Sequence, residues 1–232
     1  MYFYGIDTYY LILVLPAVIF AAWAQFHVNS TFKKYSKKTS EYGMTGADAA
    51  RLILTQNGLG HVTIGSVAGQ LTDHYDPQND VINLSESTRD VRSAAAVGVA
   101  AHEAGHAIQY AEGYLPIKIR QAIIPATKIG STLSMPLVIA GLIFSFRELA
   151  NIGILLFGIS VFFQLVTLPV EFNASRRAVK VLEGSGMLSD EGLHDAKKVL
   201  RAAALTYVAA LFVALMNMLR LIILVNGNRR RD

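Results

Sequence analysis

The sequence predicts a mostly α-helical membrane protein with about four transmembrane helices and a small α+β cytoplasmic domain. The 232 residues are 53% hydrophobic and only 16% charged, whereas a soluble domain carries about a quarter charged residues. The apolar residues are gathered into four long runs, and a polar segment of roughly a hundred residues separates the first run from the second. This pattern argues against a disordered chain and against an ordinary soluble enzyme.

Cysteine content and charge narrow the class of protein further. The chain has no cysteine, which excludes a disulfide scaffold, a thiol nucleophile and a metal site built on thiolates. The net charge is +4, but most of the lysines and arginines flank the apolar runs. Membrane topology explains them better than nucleic-acid binding does, so we expect no nucleic-acid partner.

Each apolar run is long enough to cross a bilayer, which takes about 20 helical residues. The runs cover residues 8–26, 129–146, 149–170 and 202 to about 225. We expect the first to be a retained anchor, because a cleaved signal peptide has a basic start and a shorter apolar run. The second and third form a tight hairpin, and Arg220 in the fourth can extend to the interface.

The basic residues predict the orientation of the chain in the membrane. They flank both long polar connections: Lys33, Lys34, Lys37, Lys38, Lys118, Arg120 and Lys128 in the first, and Arg176, Arg177, Lys180, Lys197, Lys198 and Arg201 in the second. The positive-inside rule predicts that both connections are cytoplasmic and that the N-terminus is outside. The basic tail at residues 229–231 would then lie outside, so either the fourth run does not cross fully or this end is an exception.

These signals divide the chain into five segments of a multi-pass protein of the cell membrane. Residues 1–28 form the N-terminal anchor, and residues 29–128 form the cytoplasmic α+β domain. Residues 129–170 form the transmembrane hairpin and residues 171–201 a cytoplasmic helical segment. Residues 202–232 form the last transmembrane helix and the basic tail.

Capping signals predict two helices in the α+β domain. Thr45 can cap a short helix over residues 47 to about 56. A second helix is expected over residues 88–111, with Ser85 or Ser87 as its cap.

Three strand-like runs lie between these helices. They cover residues 61–67, 69–75 and 81–84, and turn-forming residues at 76–80 join the last two into a hairpin. An edge strand near residues 70–75 could hold a peptide by strand addition.

The second predicted helix carries the pattern His102-Glu103-Ala-Gly-His106. Helical residues four apart lie on one face, about 6 Å apart at Cβ, so the two imidazoles can share one zinc ion. Glu103 lies beside the first histidine and can act as general base on water without binding the metal itself. The alternative is a helix whose two histidines and glutamate are simply solvated.

A catalytic zinc site needs a third protein ligand and one open position. Glu171, at the end of the third apolar run, is the better candidate, because a carboxylate at a membrane boundary is costly without a partner. It could instead pair with Arg176 or Arg177. The other possible ligands are the remaining histidines: His27, His61, His74 and His194, of which His74 is the next choice.

Three segments carry a resemblance to a known family. They are residues 102–106, Glu171-Phe-Asn-Ala-Ser-Arg-Arg-Ala178 and Arg201-Ala-Ala-Ala-Leu-Thr-Tyr-Val-Ala209. With them the chain resembles the YugP-like membrane zinc metallopeptidases over nearly its whole length, and more distantly the HtpX-type and CAAX-prenyl-protease gluzincins.

The resemblance implies Zn²⁺ as the cofactor, with His102, His106 and Glu171 as ligands and Glu103 as the catalytic base. It also implies a gluzincin-like domain around the His-Glu-x-x-His helix. In the HtpX-type pattern an aspartate stands four residues after the ligand glutamate and would orient a ligand histidine. This chain departs from that pattern, because it has Ser175 at that position.

We therefore expect a membrane-embedded zinc metalloendopeptidase that works at the cytoplasmic membrane face. Water activated by zinc and Glu103 would attack a peptide bond of a protein or peptide substrate associated with the lipid bilayer. A zinc hydrolase of lipid or another non-peptide ester is the first alternative, and a non-enzymatic membrane protein is the second. The sequence predicts neither the oligomeric state nor the cleavage specificity.

The hydrolytic intermediate also needs a hydrogen-bond donor for its negatively charged oxygen. The candidates downstream of Glu171 are Tyr207, His194 and Arg201. Tyr207 is the tentative choice, because a phenol within the fourth apolar run requires a polar partner. The alternative for Tyr207 is an aromatic side chain at the membrane interface.

Overall fold

The structure, a computed structural model, describes residues 7–40 and 42–227 and is mostly helical within them. The elements in chain order are α1 (Tyr10–Ser36), α2 (Gly46–Gln56), β1 (Thr63–Val67), β2 (His74–Asp76), β3 (Val81–Ser85), α3 (Ala94–Ala111), α4 (Leu115–Ile143), α5 (Arg147–Ser185) and α6 (Asp190–Gly227). The basic tail at residues 229–231 lies outside the described residues.

Helices α1, α4, α5 and α6 are each long and apolar enough to cross a membrane. This confirms the prediction of about four candidate membrane-spanning helices beside a small sheet. Each predicted apolar run occupies part of a longer helix, because backbone hydrogen bonding continues through polar residues where hydropathy falls. The second run is the exception at its end: α4 stops at Ile143, and the chain turns at Ser145, whose φ is +53°.

The chain forms two compact units. Among the described residues, the helical unit lies within residues 7–24, 119–168 and 206–227, and the sheet-containing unit lies within residues 25–40, 42–118 and 169–205. The sheet-containing unit therefore includes most of the basic residues of the two long connections, whereas Arg120 and Lys128 belong to the helical unit.

Helix α2 begins as its capping signal predicts. The Thr45 side chain accepts a hydrogen bond from the Asp48 backbone, and the Asp48 side chain accepts one from the Thr45 backbone. Asn57 ends the helix, followed by Gly58 at a φ of +73°. This reciprocal pair satisfies two backbone donors that the first turn would leave free.

The sheet has the strand order β1-β3-β2. β1 runs parallel to β3, and β2 runs antiparallel to β3. The predicted turn joins β2 to β3. The expectation of a strand over residues 69–75 is wrong for most of its length, because Gly69 and Leu71 adopt positive φ values, which a β-ladder excludes. The proposed substrate-binding edge at residues 70–75 is therefore reduced to β2.

Helix α3 starts later than predicted, at Ala94 rather than near residue 88. Ser93 is its cap and accepts a hydrogen bond from the Ala96 backbone. Ser85 does not cap it, because the Ser85 hydroxyl and backbone both donate to Asp73, at 2.9 and 2.7 Å. These hydrogen bonds hold Ser85, at the end of β3, next to the residue that precedes β2, so Ser85 is not available as a helix cap.

The core of the sheet-containing unit lies between the sheet and helices α2 and α3. Its largest fully buried side chains include Ile53 and Leu54 of α2 and Ile82 and Leu84 of β3. The α3 side of this core consists mainly of alanines, which let neighbouring elements approach the helix closely. This packing fixes α3, the helix that carries the candidate site.

Candidate metal centre

Helix α3 brings its functional face close to α5 because of one glycine. A Cβ placed on Gly105 would lie 2.7 Å from the backbone oxygen of Ala174. No side chain fits that gap, so alanine at position 105 would push the two helices apart. Glu171 lies one turn before Ala174 on α5, and the close approach brings it to the histidines of α3.

Three donor groups converge where these helices meet. The Nε2 atoms of His102 and His106 lie 3.2 and 3.4 Å from the same oxygen of Glu171, Oε2. The possible ligand atoms of the three residues all lie within 4.8 Å of one another. Among the described residues, they form the cluster of His, Cys, Asp or Glu side chains that could hold a metal ion. Glu171 is 3% exposed, so its carboxylate requires a partner at this position.

Each histidine also contacts a polar side chain through Nδ1, the ring nitrogen that does not face Glu171. His102 Nδ1 lies 3.1 Å from the hydroxyl of Ser175, and His106 Nδ1 lies 3.0 Å from Oε1 of Gln109. An acceptor at Nδ1 favours the tautomer whose Nε2 is free to bind a metal. Ser175, the residue that departs from the HtpX-type pattern, thus contacts one of the two candidate ligand histidines.

Gln109 connects His106 to a longer polar chain. The Gln109 amide nitrogen donates to the backbone oxygen of Val170 at 2.8 Å and to Oδ1 of Asn173 at 2.9 Å. Arg177 donates to the same Asn173 oxygen at 2.7 Å and to Glu112 at 2.6 Å. The Arg177 hydrogen bond lowers the pKa of Glu112, so the outer end of this chain stays ionised.

Glu103, next to His102 on α3, contacts the sheet. Its Oε2 accepts the backbone N–H of Tyr75 on β2 at 3.0 Å, and the residue is buried. Burial and a hydrogen bond to Asp80 raise the pKa of the Tyr75 phenol well above its ordinary value. Tyr75 also packs against Tyr110 of α3, with ring centroids 5.5 Å apart.

The electrostatics of the site follow from its buried carboxylates. Burial alone would lower the pKa of His106, but the hydrogen bond with Glu171 and the charges of Glu103 and Glu171 raise it above its ordinary value. A cation is thus favoured at this position, either a proton or a metal ion. The chemistry of the donors, two imidazoles and one carboxylate, fits the ligand set of catalytic zinc sites that keep one position open.

The other residues singled out in the sequence lie elsewhere. His74 is exposed on β2, and its ring nitrogens contact the Thr72 backbone oxygen and the Asn83 side chain at 2.9 and 3.3 Å. His194 is exposed in the first turns of α6. Tyr207 is half-buried on α6 within the helical unit, and its role stays a prediction.

Sequence reasoning missed two contributors to this site. Gln109 could have been found, since it lies three residues after His106 and therefore on the same face of the helix. The backbone N–H of Tyr75 carries no side-chain signal, and its contact with Glu103 depends on the fold alone.

Comparisons with known proteins identify the family. The family described as "Putative neutral zinc metallopeptidase" matches residues 10–226. The chain is 45% identical over 219 residues to the "Putative membrane protease YugP" of Bacillus subtilis (strain 168), which covers 94% of this chain and 97% of that protein. No solved structure matches the chain. With nearly its whole length matched in both comparisons, the chain belongs to this zinc metallopeptidase family.

Proposed function

We propose that the protein is a membrane-bound zinc endopeptidase of the gluzincin type, acting on membrane-associated protein or peptide substrates. The observation that carries this proposal is the convergence of His102, His106 and Glu171, with Glu103 on the same helix. Family membership and the relative's printed name support peptide hydrolysis as the reaction. The three converging residues would hold the zinc ion.

Zinc, when bound, supplies a Lewis acid that lowers the pKa of water to about 7 and polarises the scissile carbonyl. Glu103 would take the proton from the attacking water as its oxygen adds to the carbonyl carbon. Oε2 of Glu103 already accepts a hydrogen bond from the Tyr75 N–H, so Oε1 would be the oxygen that accepts the proton from water. Glu103 would then deliver this proton to the amine as the C–N bond breaks.

Tyr207 would donate a hydrogen bond to the oxygen that becomes negatively charged during this reaction. The support is its phenol on α6 and its place in the segment that resembles the family. Loss of one such donor typically costs about 100- to 1000-fold in rate.

We assign the active site to the cytoplasmic face. The sheet-containing unit carries most of the basic residues of both connections. The contact between His102 and Glu171 joins the two connections, which supports the same side of the membrane for both. The positive-inside rule then favours the cytoplasm.

The test uses full-length protein purified in detergent, with zinc measured by mass spectrometry and hydrolysis measured on labelled casein. Glu103→Gln should keep about one zinc per chain and lower turnover by roughly 100- to 10,000-fold, because it removes the base and spares the ligands. Glu86→Gln, the same change at an exposed position, should leave both unchanged. Chelator should abolish hydrolysis and added zinc restore it. Wild-type turnover in Glu103→Gln, or cleavage of an ester substrate but no peptide, would contradict the proposal.

A further inference from the structure

A groove of about 610 Å³ lies between α5 and α6 in the sheet-containing unit. Most of its surface is apolar, contributed by Phe172, Val179, Leu200, Ala204 and Leu205. Phe172 is 40% exposed, so the groove presents a large apolar side chain that a water-soluble surface would normally cover.

Basic side chains complete the groove. Arg176, Lys197 and Arg201 line it, and none of the described residues in its lining is acidic. Lys197 pairs with Glu183 at 2.5 Å, whereas Arg176 and Arg201 are exposed. Two guanidinium groups beside an apolar channel are complementary to an amphiphile that has an anionic head.

The position in the sequence indicates where such an amphiphile would come from. Phe172 follows the third apolar run by two residues, and Arg201 directly precedes the fourth. We propose that the groove binds an anionic phospholipid of the surrounding bilayer, with its phosphate at Arg176 and Arg201 and an acyl chain along the apolar wall. Basic pockets next to membrane helices recognise anionic headgroups in this way.

The groove also lies next to the candidate metal centre, because the two share Ser175. Ser175 lines it, and the Ser175 hydroxyl lies 3.1 Å from Nδ1 of His102. The metal-facing atom of His102 is Nε2, on the opposite edge of the ring, beside Glu171. A bound lipid would therefore contact the residue that orients His102, and the arrangement favours a lipid over a substrate segment as the occupant.

The test measures lipid binding, which does not depend on peptidase activity. Full-length protein in detergent is titrated with phosphatidylglycerol and with phosphatidylcholine of the same acyl chains, and the complexes are counted by native mass spectrometry. Glycerol phosphate supplies the headgroup without the chains. The wild-type protein should prefer phosphatidylglycerol by about tenfold or more, and glycerol phosphate should not displace it at equal concentration.

Variants assign the binding to the groove. Arg176→Gln and Arg201→Gln should each weaken phosphatidylglycerol binding by about fivefold, and by about thirtyfold together, without changing phosphatidylcholine binding. Lys180→Gln removes the same charge one turn further along α5, outside the groove, and should change little. Ala204→Trp fills the apolar wall and should weaken both lipids while the arginines remain.

Three results would overturn the proposal. The first is equal affinity of the wild-type protein for the two lipids. The second is an unchanged affinity for phosphatidylglycerol in the double arginine variant, provided that the variant keeps the wild-type melting temperature. The third is displacement of the lipid by a casein peptide, which would make the groove part of the substrate path.

Discussion

Gln109 provides a sharp test of how the candidate metal centre is organised. Its side chain is fully buried, and its amide oxygen accepts from His106 while its amide nitrogen donates to Val170 and Asn173. Gln109→Leu keeps the approximate size of the side chain and removes all three hydrogen bonds. We expect this variant to fold but to bind zinc more weakly.

The magnitude follows from which partners lose their only hydrogen bond. Asn173 keeps the hydrogen bond from Arg177, and the Val170 carbonyl lies within α5, where helical bonding continues. Only Nδ1 of His106 is left without its acceptor, at a cost of about 1–3 kcal/mol in stability. Loss of an orienting partner typically weakens metal binding by about 10- to 100-fold.

The assay is competition for zinc between purified protein and a fluorescent chelator, with thermal unfolding measured in parallel. Gln56→Leu is the matched control, since Gln56 is exposed at the end of α2 and the same change there should leave both measurements unchanged. A Gln109→Leu variant that unfolds earlier but binds zinc with wild-type affinity would show that Gln109 supports the packing and does not orient His106.

Three further predictions concern the ligands, the oxyanion donor and the orientation in the membrane. Glu171→Ala should lower zinc content well below one per chain; retained zinc and activity would return the search for the third ligand to His74. Tyr207→Phe should lower turnover at least tenfold, at the low end of the effect of losing such a donor, with zinc content unchanged; normal turnover would assign Tyr207 to the membrane interface. Thr39→Cys, at an exposed position beside Ser40, should resist a membrane-impermeant thiol reagent in intact cells, because this segment is expected in the cytoplasm. The chain has no native cysteine to react instead, and strong labelling would invert the predicted topology.

Long apolar runs were the most predictable part of the fold. Hydropathy alone indicates the four long helices, since about 20 apolar residues can satisfy their backbone groups in lipid only as a helix. Helix ends were less predictable where polar residues extend the helix, as in α5, which continues to Ser185. The end of α4 depends on the turn at Ser145, which hydropathy does not register.

The short elements depended on contacts that sequence periodicity does not encode. Ser85 and Ser87 had the right residue type and spacing for a helix cap, but Asp73 binds Ser85 from twelve residues away. Such a contact forms only once the hairpin has brought β2 beside β3. The reliable cap at Thr45 is local, because both of its partners lie within the same turn.

The candidate site shows the same division between local and distant information. The spacing of His102, Glu103 and His106 is a property of one helix and can be read directly from the sequence. The meeting of Glu171 with these histidines depends on the packing of α5 against Gly105, across roughly 70 residues of chain. The sequence suggested Glu171 only through the cost of a carboxylate at a membrane boundary and through the family resemblance.

The same reasoning bears on the last helix and its conflict with the positive-inside rule. Arg220 is not left to extend toward an interface alone: its Nε and Nη2 donate to Asp7 at 2.8 and 2.5 Å, and it lies over the ring of Tyr10. Asp7 precedes the first turn of α1 and Arg220 belongs to the last turns of α6. Later in α1, Phe20 packs against Phe212, which comes earlier in α6, with ring centroids 6.3 Å apart, so the two helices run in opposite directions within the helical unit. If α1 crosses the membrane, an antiparallel α6 paired with it in this way returns to the side where α1 began. The tail at residues 229–231 lies outside the described residues, so its side of the membrane stays a prediction.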